Sequence, residues 1–522
     1  MNGRSAGAEA TVPALLRGHA RSRPDVTAAI CGDVRLTWGQ LADRVCHLAG
    51  ALHAAGVRPG DRVLWLGQNC HRLVETLAAC AEIGTIFCPV NWRQSVAELI
   101  FVLEDADPSV VFWQEDEVGA TIRSARAGAG VSPRWIRHDA DGPGNGSDSD
   151  DVTFEQFISG APPLPTLAPA TPGSALLMIY TGAFEGHPHG ACLSNRALVT
   201  AGIANAMVRE MRPDDVFLNS GPLFHLGTWM CTLATLVLGA TNVFVSRVDA
   251  DLLLGVIADH RCTGAFLMPT TVHDLVQLNA EMGCDLRSLR WPASLPQWDA
   301  MVSPDDSAWA RRPGGTGQTE VGGMVTFSAL GGEGLHGRPF PLMDLRVVDP
   351  EGVDVPVGEV GEMVVRGPMV MNGYHNRPEL NAYKFRGDWY HTGDLARRHG
   401  DGSVTFIAPM SRMIKSAAEN IYPAEVEACL RQHPDVRAAA VIGVPDERWA
   451  QSVKAIVVLE AGATANAGAL IAHCRSAIAS YKKPRSITFV DELPMQGFAV
   501  DYDALDKEHG GGGYPGGGYR SA

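Results

Sequence analysis

The stretch Leu41–Leu66, LADRVCHLAGALHAAGVRPGDRVLWL, decides the fold class. From Leu41 to Ala55 apolar residues recur at three- and four-residue spacing, the period of a helix with one buried face. Gly60-Asp61 breaks that pattern, and Arg62–Leu66 follows as a short apolar run of strand length. A helix passing through a tight turn into an apolar strand is the repeating unit of an α/β sheet, where helices cover both faces. The same alternation runs from Val12 to about Ser159 and again from Ala175 to about Ala329. Two doubly wound blocks are expected.

Beyond them the texture changes. Glu362–Thr405 carries more strand signals, with Gly-Pro and Gly-Asp turns, and the segment after Arg412 reads as helix, strand and helix, ending near Leu505. These shifts divide the chain into residues 1–411, residues 412–508 and a glycine-rich tail, 509–522. Ala140–Asp151 is a Gly/Asp/Ser tract expected to be a surface loop. Ala161–Gly173, with five prolines, is expected to be an extended connector.

Composition sets the outer limits. A chain of 522 residues exceeds what one hydrophobic core can organise. A hydrophobic share of 46% and a charged share of 19% exclude wholesale disorder. The net charge of −15 argues against a nucleic-acid or anionic-membrane surface. Eleven cysteines with neither a C-x-x-C pair nor metal-ligand spacing point to reduced thiols. No metal site is expected. The first 25 residues lack an apolar core of signal-peptide length, and apolar windows such as Cys231–Gly239 are too short to span a bilayer, so the cytoplasm is the expected location.

Three places could carry chemistry. Asp394 ends an aromatic-rich run and precedes a polar turn, where a carboxylate can accept paired hydroxyl hydrogen bonds; alone it is an ordinary Gly-Asp turn. Thr319-Glu320, in a glycine-rich loop, offers a hydroxyl to a phosphate and a carboxylate to magnesium, and alone it is only a loop. His225 lies between Phe224 and Leu226, a setting more often filled by a hydrogen-bonded core histidine.

Context changes these readings. GVRPGDRV (Gly56–Val63), PVNWR (Pro89–Arg93), AEL (Ala97–Leu99), PLFHLG (Pro222–Gly227), GQTE (Gly317–Glu320), HGRP (His336–Pro339), RGPMVMNGY (Arg366–Tyr374), WYHTGD (Trp389–Asp394) and MIKSAAENIYPAEVE (Met413–Glu427) follow one another in a fixed order. Together they resemble the adenylate-forming superfamily of acyl-CoA synthetases, adenylation domains and luciferases, over roughly Val12–Leu505. The resemblance implies an α/β fold: a large N-terminal AMP-binding domain of two doubly wound αβ subdomains plus a small β-barrel-like subdomain, then a small mobile α+β C-terminal domain. It assigns Gly315, Thr316, Gly317, Gln318, Thr319, Glu320 and Asp394 to an acyl-adenylate, with Asp394 on the ribose and Thr319 on the phosphate. It makes His225 a gate and the candidate catalytic residue, and places Trp229, Gly322 and Met324 around the acyl group. Arg412 falls at the hinge, and Lys415, Ser416, Ala417 and Ala418 along the channel for coenzyme A. A homodimer is compatible with it.

The departures from that pattern are as informative. The family's phosphate loop reads roughly Y-T-S-G-T-T-G-x-P-K-G; here Tyr180, Thr181 and Gly182 lead into Ala183, Phe184, Glu185, Gly186, His187, Pro188, His189 and Gly190. Glu185 puts a carboxylate where phosphates would lie, and His189 replaces the lysine. A histidine, with a reference pKa of about 6.5, is mostly neutral at pH 7. Near the C-terminus the family's L-P-x-T-x-x-G-K becomes Leu493-Pro494-Met495-Gln496-Gly497-Phe498-Ala499-Val500, one residue short, with Ala499 at the lysine position. The family's Gly-Gly has become Ala417-Ala418, and its Gly-Arg before the hinge Ala408-Pro409.

Adenylation brings a carboxylate against a polyanion, and losing one charge-stabilising donor commonly costs about 3–4 kcal/mol. Two cations are gone. Thioester formation asks for less, because its electrophile is already activated and its nucleophile is a thiol. The expectation is a non-adenylating acyl-CoA ligase that takes its acyl-adenylate from a separate adenylating ligase, uses coenzyme A as co-substrate and releases AMP, with Mg2+ a doubtful requirement. The pattern of losses resembles that of the non-adenylating acyl-CoA ligase of platensimycin-type diterpenoid biosynthesis. A complete ATP-dependent ligase with replacement cations (His187, His189 or Arg412) and a non-catalytic binding protein stand as alternatives.

Overall fold

The computed structural model describes residues 10–139, 151–164, 171–181, 188–293, 295–307, 314–330, 332–410, 412–417, 419–496 and 499–512. Most of the Ala140–Asp151 loop, the middle of the Ala161–Gly173 connector, Ala418 and the tail from residue 513 lie outside the described residues.

The opening stretch folds as its pattern requires. The helix Trp38–Ala54 starts at Thr37, whose side chain accepts from Gln40 N while the Gln40 side chain accepts from Thr37 N in return. Leu41, Val45, Leu48 and Leu52 lie on its buried face. The strand Arg62–Leu66 is buried from Val63 to Leu66, between parallel neighbours Ile86–Pro89 and Val110–Trp113.

That strand is central to an eight-stranded sheet ordered Gly373–Tyr374, His189–Ser194, Ala175–Thr181, Ile86–Pro89, Arg62–Leu66, Val110–Trp113, Arg134–Arg137 and Val152–Thr153. It is parallel from Ala175–Thr181 onward and antiparallel at the other edge. A five-stranded sheet, Gly264–Ala265, Val216–Asn219, Thr241–Phe244, Thr27–Cys31 and Val34–Thr37, forms the second α/β layer, with one antiparallel edge strand. Chain order and sheet membership do not coincide, since Thr27–Cys31 pairs with Thr241–Phe244, more than 200 residues later. The expected pair of sequential blocks is thus interleaved.

A seven-stranded antiparallel sheet spans Gly315–Pro409 and stands where the barrel-like subdomain is expected. Its path ends at Gly315–Gln318 and Asp344–Val348, which are not paired with each other, so it is open. After Val404–Pro409 the chain enters a separate five-stranded sheet that starts at Ile414–Ser416 and has its own apolar core around Val426, Leu430, Val441, Val457 and Leu470. Among the described residues no helix is long and apolar enough to cross a membrane.

Candidate active site

The strands Gly315–Gln318 and Gly323–Phe327 form a hairpin whose connection is the short turn Thr319–Val321. Glycine is required in it. A Cβ on Gly317 would lie 2.1 Å from Gly323 O, and Gly322, at φ +72°, would carry one 2.6 Å from Met369 O. Met324 lies over Gly315, with Cε 2.3 Å from where a Cβ would stand.

This turn brings Gln318, Thr319 and Glu320 against the strand Tyr390–Arg398. Gln318 Nε2 donates to Asp394 Oδ2 at 2.6 Å and to Thr392 O at 3.1 Å. Tyr374 OH donates to Glu320 Oε1 at 2.9 Å. Burial raises the Asp394 carboxyl to about 7, against the opposing pull of Gln318 and Lys384. Thr316 Oγ1 is buried and without a hydrogen-bond partner. Two buried carboxylates, with an unpartnered buried hydroxyl on the adjoining strand, suit a polyhydroxylated ligand better than a packed core. The small domain reaches the same place: burial, and then the charges of Glu320 and Asp394, push the Tyr422 phenol well up.

His225 precedes the helix Leu226–Leu238, with Nε2 3.2 Å from Glu419 Oε2 of the small domain. Arg93 pairs with the same carboxylate and lies 5.1 Å above the Phe224 ring and 5.8 Å from that of Tyr481. Burial alone would raise the Glu419 carboxyl; His225, Arg93 and Lys415 outweigh it and hold the pKa below its usual value. Trp229 is wholly buried, its indole N–H donated to Leu223 O and its ring edge-on to Phe87, so its position behind His225 is fixed by packing.

The hairpin Ile414–Ser416 and Glu419–Ile421 carries the expected channel residues. Lys415 Nζ donates to Asn420 Oδ1 at 2.7 Å, and burial lowers its pKa. Ser416 is paired with Glu419. Ala417 sits at φ +52°, the left-handed region that favours glycine, and its N–H donates to Trp449 O at 2.8 Å. The Trp449 ring is flanked by the guanidinium groups of Arg448 (4.8 Å) and Arg485 (5.1 Å). Two guanidinium groups over one indole make a basic surface that can hold phosphates. The sequence reading missed this feature. Its signal was the basic run Lys482-Lys483-Pro484-Arg485, which names no aromatic partner by itself.

On the phosphate-loop side, residues 182–187, and with them Gly182, Ala183, Phe184, Glu185 and Gly186, lie outside the described residues. Thr181 Oγ1 donates to His189 O at 3.4 Å. His189 is buried, and its Nδ1 accepts from Arg377 Nε at 3.2 Å. Accepting on Nδ1 uses that nitrogen's lone pair, so the ring is in its neutral form. Arg377 is itself neutralised by Asp105, 2.7 Å away, which also accepts from Tyr180 OH at 2.7 Å. The Ala499 side chain is outside the described set; its backbone pairs with Gln496 in a two-residue hairpin. Arg412 pairs with Asp503 and Asp506, both from the small domain.

Comparison with known proteins agrees with this geometry. The family model described as AMP-binding enzyme matches residues 16–375, and that of the AMP-binding enzyme C-terminal domain matches residues 425–497. A feruloyl-CoA synthase of Amycolatopsis sp is 37% identical over 489 residues, covering 92% of this chain and 94% of that protein. An indoleacetate–CoA ligase of Aromatoleum aromaticum is 34% identical over 487 residues, covering 91% and 93%. The solved structure of the amide bond synthetase McbA from Marinactinospora thermotolerans superimposes with a TM-score of 0.78 at 26% identity, covering 95% of this chain and 99% of that one. With its two separately cored domains and matches along nearly its whole length, the chain belongs to the AMP-binding enzyme family of adenylate-forming acyl-CoA ligases.

Proposed function

We propose that this enzyme performs only the thioester-forming half of the ligase reaction, converting an acyl-adenylate and coenzyme A into acyl-CoA and AMP. One observation carries the reading. Where the family's phosphate-loop lysine would stand, His189 is buried and spends Nδ1 on Arg377, whose charge is already matched by Asp105. Among the described residues of that loop, the charge nearest His189 is thus already engaged and not directed at a departing pyrophosphate. The sequence adds Glu185 to that loop and removes the second lysine at Ala499.

The docked small domain supports the same half-reaction. Asp394 accepts the ribose hydroxyls of the adenylate, and Thr316 and Thr319 face its phosphate. The pantetheine arm passes Ala417, with the nucleotide end of coenzyme A against Trp449. The thiol gives its proton to His225, the sulfur forms a bond to the acyl carbonyl carbon, and the bond from that carbon to the phosphate oxygen breaks to release AMP. No step in this sequence requires Mg2+. A separate adenylating ligase supplies the acyl-adenylate. We assign the acyl group to a natural-product acid, on the resemblance of these sequence losses to those of the platensimycin-type non-adenylating ligase.

A second reading, a complete ATP-dependent ligase, is favoured by the 37% identity to a feruloyl-CoA synthase along nearly the whole chain. Two assays separate them. Given synthetic acyl-adenylates and coenzyme A, the purified protein should form thioester detectable by mass. Given free acids, ATP and labelled pyrophosphate, it should show only background exchange. Robust exchange with any acid would overturn the half-enzyme reading.

A further inference from the structure

The five residues that end in His225 lie between the strand Val216–Asn219 and the helix Leu226–Leu238 and belong to neither. Without a ladder, their backbone polar groups need other partners, and side chains supply them. Asn69 Nδ2 donates to Gly221 O at 2.7 Å, and Asn69 Oδ1 accepts from Leu223 N at 3.0 Å. One carboxamide thus meets a carbonyl and an N–H two residues apart, the pair of bonds that a residue of a neighbouring parallel strand would make. Thr228 Oγ1 lies 2.6 Å from Pro222 O and 2.7 Å from His225 O, and Trp229 donates its indole N–H to Leu223 O. His225 N donates to Pro222 O at 3.1 Å. The backbone is held from both sides, whereas the His225 side chain is 36% exposed.

Asn69 is itself held firmly. It follows the central strand Arg62–Leu66 at its C-terminal end, where the loops of open α/β sheets carry ligand-binding residues. Its neighbour Gln68 exchanges hydrogen bonds with Gln114: Gln68 N donates to Gln114 Oε1 at 2.7 Å, and Gln114 Nε2 donates to Gln68 Oε1 at 3.1 Å. Gln68 Nε2 also donates to Glu117 Oε2 at 2.7 Å. Asn69 therefore ties the eight-stranded sheet to a segment that leaves the five-stranded one, across 152 positions of sequence. Asn69, Gly221 and Leu223 are all buried, so losing the carboxamide would leave a backbone donor and an acceptor without water to replace it.

We propose that Asn69 is a positioning residue for the thioester step. It fixes the backbone that leads into His225, so that the gate works by rotation of the imidazole ring and not by movement of the loop. The proposal rests on the half-reaction reading, in which His225 takes the proton of the thiol. It involves the large domain alone and places no restraint on the small one.

The test uses the full chain, Asn69→Ala and Asn69→Asp, each made alone and together with His225→Ala. Aspartate keeps the size of the side chain and the acceptor for Leu223 N but loses the donor to Gly221 O. With a supplied acyl-adenylate and coenzyme A, kcat should fall about tenfold in each single variant while both KM values stay within about twofold. On the His225→Ala background the same substitutions should cost less than about twofold, because the group they position is gone. Hydrogen–deuterium exchange at 221–225 should rise about tenfold in both Asn69 variants, with 423–431 of the small domain unchanged. A tenfold loss on both backgrounds would overturn the proposal, since a merely structural amide acts without regard to His225. Unchanged exchange at 221–225, or a His225→Ala protein as fast as wild type, would overturn it equally. Wild-type protein that makes no thioester would sink the half-reaction reading instead, leaving exchange to judge the clamp.

Discussion

Asp394→Asn should make the empty protein more stable and its nucleotide site worse, and pH should separate the two effects. Asp394 is 7% exposed, and burial raises its carboxyl from 3.8 to about 7. Because the folded-state pKa lies above the unfolded one, the folded protein holds the proton more tightly between about pH 4 and pH 7. The contribution is fully present below pH 4 and is lost as pH rises through 7. A shift of about three units at 1.36 kcal/mol each sets an upper bound of about 4 kcal/mol, of which about 3 kcal/mol falls between pH 5 and pH 8. Asparagine has the same size, keeps an acceptor for Gln318 and does not titrate. Melting curves should therefore coincide near pH 4, with the variant about 2 °C higher at pH 5 and about 5 °C higher at pH 8. AMP reverses the order, since ribose hydroxyls donate to the carboxylate and favour its charged form. Calorimetric AMP affinity should strengthen through pH 7 in the wild type and stay flat, about a hundredfold weaker at pH 8, in the variant. A melting difference independent of pH would refute the claim that burial sets this carboxyl's charge.

Three further outcomes are expected. Trp449→Ala should raise the KM for coenzyme A about tenfold at little cost in kcat, followed by thioester mass; an unchanged KM would remove the indole from the thiol substrate's path. Ala417→Gly relieves about 1 kcal/mol of left-handed strain but regains about 0.4–1 kcal/mol of unfolded-chain entropy, so stability should scarcely move while the coenzyme A KM falls. A loss of several degrees in melting temperature would count against that account. His189→Lys would set an ammonium against the Arg377 guanidinium, so melting temperature should drop, and pyrophosphate exchange should stay at background because Glu185 and Ala499 are untouched; exchange well above background would contradict the electrostatic argument.

The features legible from the amino-acid order are those set by near neighbours. The helix over Trp38–Ala54 needs only its cap and its apolar period, whereas the hairpin of Ile414–Ser416 with Glu419–Ile421 is missing from the helix, strand and helix order read after Arg412. The motifs around Gln318, Glu320 and Asp394 were recognisable because each is a short contiguous string, although nothing in the strings says that Gln318 donates to Asp394. The replacement of His189 for lysine could be read directly; its capture by Arg377 could not. Arg93 meets Glu419 across 326 positions, and Lys482 meets Glu98 across 384. Local sequence sets backbone dihedrals and which face of an element is apolar, because those depend on atoms a few bonds away. Which charge meets which across two domains depends on how separately cored bodies dock, and the tertiary structure alone decides that.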